Sequence, residues 1–146
     1  MMTMLKGIST VVSPDLLAML SAMGHGDEIV LADAHFPGET MGKRCLRADG
    51  VSVVALLEGI LPLFELDNYV DAPVVMMAPK PGDVADPTVE PSYRKVIDKY
   101  SPKTPPIGKI GRFDFYDRAK QAYAVVMTGA TAKYANVIMK KGVTPV

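Results

Sequence analysis

The two histidines of this chain both fall in one short stretch. It runs Gly24-His25-Gly26-Asp27-Glu28 and continues Ile29-Val30-Leu31-Ala32-Asp33-Ala34-His35. Histidine is the side chain whose ordinary pKa lies closest to neutrality, so it both takes and gives a proton there. Three carboxylates, Asp27, Glu28 and Asp33, share the stretch. An imidazole with a carboxylate to orient it is the usual equipment of general acid–base catalysis. His25 is the expected proton-transfer residue, with Asp27 or Asp33 expected to fix its ring. Glycines on either side of it let the chain turn sharply and leave the ring room to meet a ligand. The plainer alternative is a solvated histidine in a turn between a helix and a strand.

Other chemistries fit the sequence less well. His25, Asp33 and His35 are competent metal ligands, but their spacing matches no zinc pattern, and no metal is expected. No Gly-x-Ser-x-Gly elbow is present, and Cys45 has no sequence neighbour that would activate it as a nucleophile. Phosphate-cradling glycine motifs are missing too, so no nucleotide cofactor is expected. Arg112, in Gly111-Arg112-Phe113-Asp114-Phe115-Tyr116, offers a rigid fork of donors for hydroxyls or a carboxylate. Its commoner fate is an ion pair, here with Asp114 or Asp117. Phe113 and Phe115 read as core. In Tyr134-Ala135-Asn136, alternation along an extended segment sends Tyr134 and Asn136 to one side, presenting a phenol and an amide together.

The elements that must position these groups alternate between helix and strand, which argues for an α/β fold with a central sheet flanked by helices. Ser13-Pro14-Asp15 is a helix start. Leu16, Leu20 and Met23 follow at helical spacing and Gly24 stops the helix, placing His25 just past its end. Residues 28–32 read as a buried strand that delivers Asp33 at its C-terminal tip, the edge where α/β sheets bind ligands. Further strands are expected over 43–47, 74–78, 123–127 and 136–139. Helices are expected over 51–61, 92–100 and 113–121, with Pro91 in the first turn of the second.

At 146 residues, 49% of them hydrophobic, residues 1–146 read as one domain with a proper core. Sixteen basic residues balance sixteen acidic ones, so nothing draws the chain to nucleic acid or an anionic membrane. A single cysteine precludes an intrachain disulfide and suits a reducing cytoplasm. The N-terminal stretch lacks the apolar core of a signal peptide. Glu58, Pro62 and Glu65 interrupt the longest apolar run. A soluble cytoplasmic protein is expected.

Taken together, several segments resemble the RbsD/FucU family of sugar mutarotases, and within it the L-fucose branch. They are Gly24-His25-Gly26-Asp27-Glu28, Asp33-Ala34-His35-Phe36-Pro37, Arg47-Ala48-Asp49-Gly50, Pro62-Leu63-Phe64-Glu65-Leu66-Asp67, Arg112-Phe113 and Lys133-Tyr134-Ala135-Asn136. The D-ribose branch usually has Gly-His-Thr-Asp where this chain has Gly24-His25-Gly26-Asp27, and histidine at the position of Arg112. The resemblance runs from about Met4 to Pro145 and is weakest over 79–106. It implies an α/β subunit in a homo-oligomer, commonly a decamer of two stacked pentamers, with each pocket near a subunit contact. It also implies that His25 is catalytic, that Asp33, Arg112, Tyr134, Ala135 and Asn136 bind a monosaccharide, L-fucose, and that no cofactor is needed. The alternatives are D-ribose pyranase-type activity and a sugar-binding accessory protein without catalysis.

Overall fold

The computed structural model describes residues 5–146. The reading of one domain begins four residues earlier, outside the described residues. Six apolar runs pair into one sheet: β1 (Glu28–Ala32), β2 (Cys45–Arg47), β3 (Val74–Met77), β4 (Gly108–Ile110), β5 (Ala124–Met127) and β6 (Val137–Lys140). Their order across the sheet is β2-β5-β1-β6-β3-β4. β5 lies parallel to both β1 and β2, and β3 is parallel to β4. β6 runs antiparallel between β1 and β3. The first five strands therefore share one direction, and their C-terminal ends line one edge together with the start of β6.

Side chains alternate across a strand, so a sheet covered on both faces needs apolar residues at every position. β1 shows the division. Ile29 and Leu31 pack into a core with Leu16 and Leu20 of α1 (Pro14–Ala22), Leu56 and Ile60 of α3 (Val53–Ile60), and Val96 and Ile97 of α4 (Val89–Tyr100). Val30 and Ala32 pack on the other face against Phe36 and against Phe115 and Ala119 of α5 (Arg112–Gln121). Each such aliphatic side chain contributes about 1.5–3 kcal/mol by leaving water, which fixes β1 as the central spacer between the two edges of the sheet.

The helix starts follow from local chemistry. The Ser13 hydroxyl accepts the Leu16 N–H at 3.1 Å with Pro14 in the first turn, and Ser52 accepts the Ala55 N–H at 3.0 Å. Pro62 ends α3 by passing the chain into a single 3-10 turn, Leu61–Leu63. α4 begins at Val89 rather than at residue 92, because Pro91 in a first turn has no N–H to leave unpaired. Two elements carry too little signal to be expected: α2 (Gly38–Met41), of four residues, and β4, an edge strand of three. No helix among the described residues is long and apolar enough to cross a membrane.

Candidate functional site

β1 separates the two histidines. His25 lies before its first residue and His35 beyond its last, so the five residues of β1 alone hold them about 15 Å apart. The two ends of the strand therefore carry two different constellations. A metal held by His25, Asp33 and His35 within one chain is ruled out by this separation.

The C-terminal edge holds a cavity of about 310 Å³ whose lining includes Asp33, His35, Arg112, Tyr134 and Asn136, with Met77 and Tyr116 as apolar surface. A monosaccharide needs a small hollow of this kind, with convergent polar groups and an apolar wall. Asp33 is buried at the tip of β1. Its backbone N–H donates to Asn136 Oδ1 at 2.7 Å, and its carboxylate accepts the His35 N–H at 3.0 Å. Burial pushes its carboxyl above the usual range, against the backbone N–H groups of His35, Ala135 and Phe36, which favour the charged form. His35 is fixed at its other end, where Nε2 donates to the Thr131 carbonyl at 3.0 Å.

Tyr134, Ala135 and Asn136 reach the pocket by a route different from the one their spacing suggests. The segment is a turn, not an extended strand, and Tyr134 adopts φ 60°, in the left-handed region. Such a conformation costs a non-glycine residue about 1–3 kcal/mol and persists only where the surroundings enforce it. Here the phenol donates to Asp83 at 2.7 Å, and Lys133 Nζ reaches the same carboxylate at 3.0 Å. These bonds hold the Asp83 carboxyl down at about 2. Ala135 is buried, and its carbonyl accepts the hydroxyl of Tyr93, from α4, at 2.7 Å. Its contribution is backbone shape rather than a side chain.

Arg112 opens α5 and is exposed. Among the described residues it forms no ion pair with Asp114 or Asp117. Its guanidinium lies 4.9 Å from the centre of the Phe113 ring and is free to meet a ligand. Phe115 is core, as expected, but Phe113 is 69% exposed, because it sits on the outer side of the first turn of α5. A larger hollow of about 580 Å³ adjoins the pocket and shares Met77 and Tyr134 with it. Its charged groups are already engaged: Lys109 pairs with Glu90, and Arg94 holds Asp98 and the carbonyls of Thr104 and Pro105.

The opposite edge holds His25. Gly26 makes its turn possible with φ +90° and donates its N–H to the Lys141 carbonyl at 2.8 Å. None of the three carboxylates near His25 in sequence orients it. Asp27 accepts the Gly24 N–H at 2.7 Å, Glu28 pairs with Arg118, and Asp33 is at the far edge. The acid beside the imidazole is Asp67, whose Oδ1 lies 3.1 Å from His25 Nε2. Burial pulls the Asp67 carboxyl upward, but bonds from the Tyr69 N–H and His25 outweigh it and leave the group below its ordinary range. Burial first, then Glu39, pushes the Cys45 thiol up and away from the thiolate.

An α/β domain with a small polar pocket at the strand ends and a histidine–aspartate pair at the other edge has the equipment of proteins that handle small polyhydroxylated ligands. The chain belongs to the RbsD / FucU transport protein family, whose model matches residues 6–144. It is 57% identical to an L-fucose mutarotase of Actinobacillus pleuropneumoniae, with 98% of this chain and 99% of that one covered. An L-fucose mutarotase of Haemophilus influenzae is 58% identical over the same shares. Among solved structures, the fucose mutarotase of Streptococcus pneumoniae in complex with L-fucose superposes with a TM-score of 0.91. Its sequence identity is 46%, covering 97% of this chain and all of the other.

Asp33 also gives a stability prediction. A carboxyl whose pKa is raised by folding contributes stability below its unfolded value and loses it as pH rises through the folded one. Asp33→Asn keeps an acceptor for the His35 N–H and removes the buried charge. The variant is therefore expected to melt above the parent at pH 7, with the gap closing below about pH 4, where the parent carboxyl is protonated in both states. Calorimetry across this range measures it, and a gap that widens on acidification contradicts the sign.

Proposed function

We propose that this protein is an L-fucose mutarotase, an isomerase that interconverts the α and β anomers of L-fucose. The observation that carries the reading is the near full-length similarity to L-fucose mutarotases in a chain whose pocket has the size and donor set for one sugar. In the reaction a base removes the anomeric hydroxyl proton, the bond from C1 to the ring oxygen breaks, and the ring oxygen gains a proton. Rotation about the bond from C1 to C2 and the reverse steps give the other anomer, with no net change of protons or electrons. His25 supplies the proton transfer, and Asp33, Arg112, Tyr134, Asn136 and the Ala135 backbone hold the hydroxyls. Protons alone perform this chemistry, so the reading requires no cofactor or metal.

His25 does not reach the pocket of its own chain, and the active unit in this reading is a homo-oligomer in which His25 of one copy faces the pocket of a neighbour. Two exposed rings support this. Tyr69 is 73% exposed and lies 5.1 Å from the His25 ring, and Phe113 is comparably exposed beside Arg112. His25 and Arg112 thus each have an uncovered aromatic surface next to them, the kind of anchor that subunit contacts bury. A ring of the decamer type meets the requirement, and the single Cys45 suits a reducing cytoplasm.

Exchange NMR of the anomeric protons of L-fucose tests the activity, and D-ribose tests the branch. L-fucose is expected to exchange faster. Arg112→His is expected to lower kcat/KM for L-fucose by about tenfold or more, since an imidazole cannot replace a charged fork of donors worth about 1.5–3 kcal/mol. Binding of L-fucose without any acceleration of exchange would leave a sugar-binding protein and reject the enzyme.

A further inference from the structure

We infer that Asp83 is a positioning residue of the sugar pocket: it accepts the one hydrogen of the Tyr134 phenol, so the phenol oxygen is fixed in the pocket wall and meets a sugar hydroxyl as an acceptor. The inference rests on the reading of this pocket as a monosaccharide site. A phenol has a single hydrogen to donate, and its oxygen also accepts. Asp83 Oδ2 receives that hydrogen at 2.7 Å. An ionised carboxylate has none to offer in return. The Lys80 N–H also approaches the Tyr134 oxygen, but at 3.4 Å, a long contact that leaves the oxygen most of its capacity. An acceptor is therefore left on the wall that Tyr134 shares with Asp33, Arg112 and Asn136.

Asp83 is presented by residues 78–88, which join β3 to α4. The Ala78 N–H donates to the Ile110 carbonyl at 2.8 Å and holds the start of this loop. At its end Asp86 accepts the Thr88 N–H at 2.9 Å. Between them Gly82 turns with φ +86°, and the Asp83 N–H closes the turn on the Lys80 carbonyl at 3.0 Å. Asp83 Oδ1 accepts the Val84 N–H at 2.8 Å and Lys133 Nζ at 3.0 Å, so the carboxylate is held with Oδ2 toward the phenol. Pro79, Ala85 and Pro87 line the hollow of about 580 Å³, so the loop spans an opening beside Tyr134. Polar bonds rather than loop packing hold the left-handed Tyr134. Asp83 binds its phenol, and the Tyr93 hydroxyl binds the next carbonyl, that of Ala135.

The test uses the full-length protein, with Kd for L-fucose from calorimetric titration and kcat from exchange NMR. Asp83→Ala is expected to raise Kd by about 3–10-fold, the scale of one hydrogen bond. At saturation kcat is expected to stay within about twofold, the pattern of lost binding rather than lost chemistry. Tyr134→Phe is expected to raise Kd by a similar factor. Because Asp83 acts through the phenol, the double variant is expected to match either single one rather than show the product of the two losses. With no sugar present, the ¹³Cζ signal of Tyr134, assigned by its absence in Tyr134→Phe, is expected to shift in Asp83→Ala. Asp83→Ser keeps a hydroxyl in the loop but is one bond too short for the phenol, and it gives the same results if Asp83→Ala folds poorly.

A parent Kd in a folded Asp83→Ala or Asp83→Ser protein overturns the inference. So do losses that multiply in the double variant, and so does a loss confined to kcat. In each of these cases the parent still binds L-fucose, and the positioning inference alone falls. A parent protein that does not bind L-fucose removes the reading of the pocket, and the inference with it.

Discussion

Replacing His25 by alanine is expected to lower the rate of L-fucose anomer exchange by about 10²–10⁴-fold, the range a positioned general acid–base contributes. The fold should be unaffected, because the imidazole is largely outside the core and its turn is held by backbone bonds, Gly26 to Lys141 and Lys141 to Asp27. Sugar binding should survive too, since the lining groups Asp33, Arg112, Tyr134 and Asn136 are unchanged. Exchange NMR, saturation-difference NMR and thermal melting on one preparation separate these quantities. Loss of exchange with binding and melting intact is the expected pattern. Parent exchange rates in a folded His25→Ala protein would exclude His25 as the proton-transfer residue.

Local signals in the sequence were enough for the frame. The Ser13 cap, the leucines at helical spacing and the unbroken apolar run of β1 each have a cause within a few residues, and each element stands within a residue or two of where the pattern puts it. Elements without a local signal were not legible. β4 has Ile110 as its one apolar side chain and exists because β3 offers a parallel edge. The sites divide in the same way. Asp33 is placed by the strand it ends, and Arg112 by the helix it begins.

The partners that complete those sites come from far along the chain. Asp67 meets His25 across 42 positions, and Asp83 meets Tyr134 across 51. No period or motif encodes such a meeting, since it depends on which loops the sheet order brings to one edge. Nor does closeness in sequence bring the two histidines together within one chain. Ten positions apart is close in sequence, but a strand converts sequence distance into space at about 3.3 Å per residue. Tyr134 and Asn136 do line one pocket, but by a turn in which Tyr134 is left-handed rather than by the extended backbone that the alternation argument assumed.

That separation leads to the second large effect. If His25 of one copy serves the pocket of another, two inactive variants should restore each other. His25→Ala carries an intact pocket and Arg112→Ala carries an intact histidine. Dissociated, mixed in equal amounts and reassembled, they are expected to recover roughly a quarter of the parent exchange rate, the random-pairing share for a contact in which different surfaces of the two copies meet. Each variant alone stays low, because every site in it lacks the same group. Dilution of the parent below its assembly threshold should lower exchange in step with the light-scattering mass, since no copy completes a site by itself. Arg112 suits the test because it is exposed and free of ion pairs among the described residues, so its removal leaves the fold in place. A mixture that verifiably exchanges subunits yet stays at the mean of the two variants would show that His25 and the pocket do not act across copies. A fully active monomer would show the same.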